Sequence, residues 1–361
     1  MNSISKSDRI KGALMGAIIG DALGLGPHWI YNPRELVAKF GAWIDDYKAV
    51  RPNPRFPAVW ESRKDLKPGD VSQTGQVYLL LLESVVENGN YVESDFTVRL
   101  DGLLDTLDGT SAGGRYTDEA MRDVWNARKE GVEWPHAGSF KDTSEAAMRT
   151  PIIAALHAGD QDAAFKTMIG NVALTHCDPV VLGQSTAYGM HVWMLINGIE
   201  MKDIAKYYFE HRSEFRIHFK AASDWTGAET AMSLRDHEIS FTDAMDRPSG
   251  IYDAAHDSRI QIEPAHLVSR LYTPDCRITH LLPAAYYLAS RYENDFEMAV
   301  LSAINGGGNN MARAALTGAL SGAMNGLGGI PERFISGLSD YERILGLVES
   351  LVARALEEGG S

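Results

Sequence analysis

Two stretches of the chain place a glycine at every fourth position. In residues 10–25 these are Gly12, Gly16, Gly20 and Gly24, and in residues 304–326 they are Gly318, Gly322 and Gly326. Four residues is slightly more than one helical turn, so each set lies along one face. Each glycine costs a helix roughly 1 kcal/mol against alanine, so both helices must be stabilised by burial. Small residues let two backbones approach, and the two helices are expected to pack on each other at the centre of the fold. The second stretch opens with Gly306, Gly307 and Gly308, which reach backbone angles closed to other residues. Asn309 and Asn310 follow, and either can cap a helix. A glycine loop feeding a helix N-terminus also suits a phosphate or another anion; close packing is the reading this pattern favours.

No segment alternates apolar and polar residues as a half-buried strand would. Helices are expected over 77–87, 93–104, 145–157, 163–175, 180–196, 201–212, 254–271, 280–294, 296–304, 330–338 and 341–358, with another opening at Thr117-Asp118-Glu119. Residues 41–70 carry Pro52, Pro54, Pro57 and Pro68 and read as a long irregular loop, of a length that is usually functional in a compact domain. Residues 131–144 read as irregular, and 214–250 as a short irregular insertion. The expectation is one all-α domain over residues 1–361, a compact bundle of roughly 12 to 15 helices at the usual helix length.

Charge and cysteine content narrow the function classes. The 361 residues carry a net charge of −14 with no cluster of Lys and Arg, which argues against a nucleic-acid partner. Cys177 and Cys276 are the only cysteines and neither sits in a CxxC. A disulfide framework or structural zinc is therefore not expected, and a cytoplasmic setting fits. The apolar run 12–20 behind Lys6, Arg9 and Lys11 imitates a signal peptide. It is far short of the roughly 20 residues of a membrane span, it ends at Asp21, and no small-residue cleavage site follows. It reads as a buried helix, and no membrane partner is expected.

Polar residues gather just before apolar helices in five places: 21–31, 70–76, 139–149, 306–313, and Thr175-His176-Cys177-Asp178-Pro179. In a helical bundle, sites are built from such residues on facing elements. His28 and Tyr31 are candidates to line a pocket beside Asp21.

These residues resemble a known family. GALMGAIIGDALG at 12–24 is similar to the opening helix of the ADP-ribosylglycohydrolase family, which includes the dinitrogenase reductase-activating glycohydrolase, the ADP-ribosylarginine and ADP-ribosylserine hydrolases and the jellyfish lens crystallins. Glu145-Ala146-Ala147-Met148-Arg149-Thr150-Pro151 resembles its AMRxxP segment, and Thr175-His176 with Asp178-Pro179 its TH-x-D-P segment. GGGNNMARAALTGALSGAMNG, ending near Ile330-Pro331, resembles its last metal loop and helix. The resemblance runs from about residue 8 to about residue 345. It implies an all-α fold, a dinuclear Mg²⁺ or Mn²⁺ site, and hydrolysis of a glycosidic bond to ADP-ribose.

The departures from the family pattern are concentrated. Its Thr/Ser-Asp-Asp-Thr motif corresponds to Ser72-Gln73-Thr74-Gly75, and its Gly-Gly-Asp-Thr-Asp-Thr motif to Gly306-Gly307-Gly308-Asn309-Asn310-Met311. Both aspartates are missing from each, and the family's acidic residue after GDALG falls at or near His28. Hard divalent cations need carboxylate oxygens, so no metal ligand and no cofactor is expected here. Thr117-Asp118-Glu119 looks like a displaced metal motif but reads as a helix start favoured by the dipole. Asp21, His28 and Asp70 are the candidate acids and bases. Tyr31, Gln73, Thr74, Glu145, His176, Asp178, Gly307, Gly308, Asn309, Asn310 and Arg313 are the candidate ligand-binding residues. The expected partner is a small molecule, with an ADP-ribose-like compound as the family's example; oligomeric state is not legible. Three readings follow: binding without the family's metal chemistry, metal-independent hydrolysis of another N-glycosidic or nucleoside-like substrate, and a structural role of the crystallin kind.

Overall fold

The computed structural model describes residues 4–107, 118–134, 136–215, 217–219, 237–239, 242–245 and 247–358. In chain order the helices are α1 (Lys6–Leu25), α2 (Pro33–Phe40), α3 (Pro57–Arg63), α4 (Gln73–Asn88), α5 (Glu93–Leu104), α6 (Glu119–Lys129), α7 (Thr150–Leu156), α8 (Gln161–Ala173) and α9 (Pro179–Ile196). They continue as α10 (Ile204–His211), α11 (Thr242–Met245), α12 (Arg247–His256), α13 (Val268–Leu271), α14 (Ile278–Arg291), α15 (Phe296–Asn305), α16 (Asn310–Asn325), α17 (Glu332–Ser336) and α18 (Tyr341–Glu358). The all-α expectation holds. Among the described residues the one strand ladder pairs β1 (Ile217–Phe219) antiparallel with β2 (His237–Ile239), inside the segment read as an irregular insertion.

The two glycine helices meet as expected, and they run antiparallel. A Cβ built on Gly12 would lie 2.1 Å from the Gly322 carbonyl oxygen, on Gly16 2.1 Å from that of Gly318, and on Gly20 2.1 Å from that of Ala314. Each step of four along α1 therefore meets a step of four back along α16. These obstacles are backbone atoms, which cannot swing aside as a side chain can. Near one end of the contact Arg9 Nη1 donates to the Ala323 carbonyl oxygen at 2.9 Å, near the C-terminus of α16, where a cation is favoured. Around this pair, α16 also touches α9, α14 and α15, while α1 touches α4, α7, α9 and α18. One continuous apolar cluster runs from Ile10 to Val352.

Several expected helices differ in extent, each with a local cause. The helix expected over 254–271 is divided between α12 and α13, and Pro264, which lacks the N–H that a continuous helix would need, lies in the break. The stretch 145–157 begins as a 3₁₀ turn at Ala147–Arg149 before α7. The loop 41–70 contains α3, with Pro57 at its first position, where a missing N–H costs nothing. The opening of α6 at Asp118 is described; Thr117 lies outside the described residues. No described helix is long and apolar enough to cross a membrane.

Candidate functional site

The C-terminus of α1 and the N-terminus of α16 continue into two loops that are tied together. Trp29 N–H donates to Gly308 O and Gly308 N–H donates to Ile30 O, both at 2.9 Å, so the His28 loop and the glycine loop form one antiparallel bridge. Gly308 needs its left-handed φ of 67° here, and an added Cβ would meet Pro274 O at 2.1 Å. Trp29 is also left-handed, at φ 69°, a conformation a bulky side chain rarely adopts and one that clusters at functional sites. The neighbouring loop is held by Asp21, which is buried. Its Oδ2 accepts from Ser72 N–H at 2.7 Å and its Oδ1 from Ser72 Oγ–H at 2.6 Å. Ser72 in turn caps α4 by accepting from Gly75 N–H at 3.2 Å.

These loops border a cavity of about 480 Å³. Its two sides differ in charge. On one side lie Trp29, Arg55, Phe56 and Arg63, with Trp29 and Phe56 ring centroids 4.9 Å apart and the Arg63 guanidinium 5.8 Å over the Trp29 ring. On the other lie Asp118, Glu119, Thr143 and Glu145. His28, Tyr31, Ser72, Thr74, Cys276, Asn309 and Met311 complete the lining together with Pro57.

The cavity gathers His28, Tyr31, Thr74, Glu145 and Asn309 from among the candidates named above. His28 is buried, and burial together with the Arg63 charge holds its pKa well below the usual histidine range. Asn310 Nδ2 donates to Ile304 O at 3.0 Å, which turns its Oδ1 toward His28 Nδ1 at 3.4 Å; the ring therefore donates from Nδ1–H. Burial pushes the Tyr31 phenol up to about 12. Gln73 borders a smaller hollow shared with Asp118 and Glu145.

Other candidates lie behind or away from the cavity. His176 is fully buried, with its Nε2 3.9 Å from Glu145 Oε2. Arg313 is buried beneath the glycine loop, donating to Ala303 O at 3.0 and 2.8 Å and to Gly307 O at 2.7 Å. Gly307 and Asn310 shape the loop rather than line the cavity. Asp178 caps α9, accepting from Val180 and Val181 N–H at 2.9 and 3.0 Å. Asp70 lies outside the cavity lining; it accepts from Lys67 N–H at 2.8 Å and from the Ser339 hydroxyl.

Asp118 is the main residue that sequence reasoning left aside. It does cap α6, with Oδ1 accepting from Met121 N–H at 2.9 Å, as its sequence position predicts. It also stands on the acidic wall, where one ligand atom each of Asp118, Glu145 and His176 lie within 4.8 Å of one another. Burial raises both carboxyls to about 7, with the Glu145 charge adding to the rise at Asp118. Burial lowers His176 to about 4. Two carboxyls held near neutrality can share protons, accept donors from a ligand, or attract a cation. The available sequence signal was the Asp-Glu pair itself, set aside because a helix cap accounted for it.

Comparison with known proteins agrees with the geometry of the helices. A protein of Archaeoglobus fulgidus with no described function is 24% identical over 337 residues, covering 93% of this chain and 93% of its own length. A solved structure described as an ADP-ribosylglycohydrolase-related protein complex superposes with a TM-score of 0.65 at 20% identity, over 97% of this chain and 99% of that one, which shows a shared fold. The model of the ADP-ribosylglycohydrolase family matches residues 2–360, and the chain belongs to that family.

Proposed function

We propose that the cavity binds a small ligand of the ADP-ribose class, and does so without the two-metal site its family implies. The observation that carries this reading is the chemistry of the two loops where the resemblance puts that site. They present Ser72, Gln73, Thr74, Gly308, Asn309, Asn310 and Met311, which are neutral groups. The nearby carboxylate, Asp21, gives one oxygen to Ser72 N–H and the other to Ser72 Oγ–H. The Met311 thioether lies 3.6 Å from Ser72 Oγ, and the Arg313 guanidinium sits beneath the second loop, bonded to the carbonyl oxygens of Ala303 and Gly307. A buried cation and a set of neutral donors do not fit two divalent ions, whose charge requires carboxylates. The arginines and aromatic rings on one wall suit an anionic, planar ligand, and the acidic wall suits its hydroxyl or N–H groups.

The test is a calorimetric titration of ADP-ribose into the purified protein, with and without Mg²⁺. Binding indifferent to Mg²⁺ is expected. Mg²⁺-dependent release of ADP-ribose from a modified arginine or serine peptide, lost on Asn309→Ala, would overturn the reading.

A second reading is favoured by the acidic wall: metal-independent hydrolysis of an N-glycosidic bond by Asp118 and Glu145. Held at about 7, such a pair supplies one protonated and one ionised carboxyl at neutral pH, the requirement for a general acid and a general base. Its test is the pH–rate profile on nucleoside and dinucleotide substrates. A bell whose limbs disappear in Asp118→Asn and Glu145→Gln is expected, and turnover unchanged in both variants overturns it.

A further inference from the structure

At the acidic wall two carboxyls and an imidazole converge. They come from the cap of α6, the loop ahead of α7 and the turn before α9, outside the two loops where the family's ions would be held. Glu145 is buried, and its Oε2 is turned toward His176, with Nε2 at 3.9 Å. That oxygen has no hydrogen-bond partner among the described residues. Nor does any lysine or arginine among them form an ion pair with Glu145 or Asp118. Arg149, buried behind the wall, directs its hydrogen bonds to Asn171 and Thr175 instead. A buried carboxylate oxygen without a partner is costly, and a second carboxylate beside it adds repulsion. A divalent cation between them answers both. His176 is held in a position to join it. Its Nδ1 lies 2.9 Å from Thr175 Oγ1, which also accepts from Arg149 Nη2 at 2.8 Å. A hydroxyl oxygen has two lone pairs, so Thr175 accepts from Nδ1–H as well. The Nε2 lone pair then faces Glu145 Oε2, and an oxygen partner on the far ring nitrogen is what a metal-bound histidine regularly has.

We propose that Asp118, Glu145 and His176 form a site for one divalent first-row transition-metal ion, of which zinc is the probe, with a further coordination position open to the cavity. Two carboxylates balance the charge of the ion, and the imidazole nitrogen favours such a metal over Mg²⁺. Three protein ligands with one open position is the composition of a catalytic zinc site. Asp118 uses Oδ1 to cap α6, which leaves Oδ2 for the ion. Tetrahedral zinc with bonds of about 2.1 Å spaces its ligand atoms about 3.4 Å apart, so binding draws the three side chains inward from their present separations of up to 4.8 Å. Asp118 and Glu145 line the cavity, which gives the ion a way in and a contact with whatever binds there, while the fully buried His176 closes the far side. The site does not depend on the ADP-ribose reading. With the ion bound both carboxyls are ionised, so the acid–base reading above belongs to the metal-free chain.

The experiment is a titration of Zn²⁺ into the full chain after chelator treatment, followed by calorimetry, and repeated with Co²⁺ followed by visible absorption. The expected result is one ion per chain, cobalt bands of nitrogen and oxygen ligation without a sulfur charge-transfer band, and no competition from Mg²⁺. Glu145→Gln and Asp118→Asn, both close to isosteric, should each weaken zinc binding by more than about 100-fold, and Thr175→Val, one bond further out, by roughly 10- to 100-fold. Urea unfolding shows which variants are folded, and either carboxyl variant decides the matter where the other fails to fold. No saturable zinc binding, a sulfur charge-transfer band, or parent-like affinity in a folded Glu145→Gln or Asp118→Asn chain would each overturn the site. ADP-ribose binding by a chain that takes up no zinc overturns the site and leaves the ligand reading standing. Zinc binding by a chain that ignores ADP-ribose supports the site while the ligand reading falls.

Discussion

The α1–α16 seam is buried and the acidic wall of the cavity partly so, and the two are built on opposite terms. The seam is neutral and sterically saturated: carbonyl oxygens stand where any Cβ would have to go. The wall is roomy and electrostatically unsaturated, with two carboxyls raised toward neutrality and, among the described residues, one oxygen without a partner. Close contact gives the seam rigidity, and incomplete satisfaction gives the wall something to offer a ligand. A buried polar atom without a partner is costly, so it persists where it is used or where nothing has removed it.

Substitutions can break this contrast. The largest effect is expected at the seam. Gly318→Ala gains helix propensity but drives a methyl into Gly16, and overpacking of that kind costs about 2–3 kcal/mol; urea unfolding should show the loss. If the variant is as stable as the parent, the seam is looser than described.

The wall should respond to pH instead. The Glu145 carboxyl is raised to about 7 from an ordinary value near 4.5, so the folded state holds its proton over that window and the unfolded state does not. Stability from this group is therefore greatest below about 4.5 and is lost as pH rises toward 7. The loss is on the order of 2 kcal/mol, reduced from the full linkage value because the pair can relax. Glu145→Gln should flatten this slope in denaturation series taken at several pH values, and a slope identical to the parent's would contradict the wall's description.

Between the two lies Asp21, at the end of the seam and the edge of the cavity. Asp21→Asn replaces one accepting oxygen by a donor facing Ser72, with an expected cost of about 1–2 kcal/mol and weaker ADP-ribose binding measured by calorimetry. The smallest effect belongs to Asp70, outside the cavity lining. Asp70→Asn should cost less than about 1 kcal/mol, as partly exposed polar contacts do, and leave ADP-ribose affinity unchanged.

The same contrast explains what the sequence could disclose. Spacing of four between glycines is a local property, and it led directly to two packed helices because only one geometry satisfies both stripes. The acidic wall depends on Asp118, on the Thr143–Glu145 loop and on His176, three segments that meet only in the folded chain. Asp118 was hidden further by having a sufficient local role, since an Asp before an amphipathic helix is explained by capping alone. The opposite wall comes from Trp29, Arg55, Phe56 and Arg63, most of it in a proline-rich stretch with no periodicity to read. Trp29 could not be foreseen in a left-handed conformation, because a bridge to Gly308 imposes it from a distant segment.

The antiparallel seam also acts as a ruler. His28 sits just past the end of α1 and Asn310 at the first residue of α16, and no covalent link shorter than most of the chain joins them. Their separation is fixed by how α1 and α16 register along the glycines. A slip of one residue would rotate α16 by about 100° and present a side chain where a carbonyl now lies, so partial slippage has no stable position. The cavity's mouth is thus calibrated from a point some turns away, and a single-residue deletion anywhere between Ala312 and Gly318 would detune the mouth without touching any group that lines it.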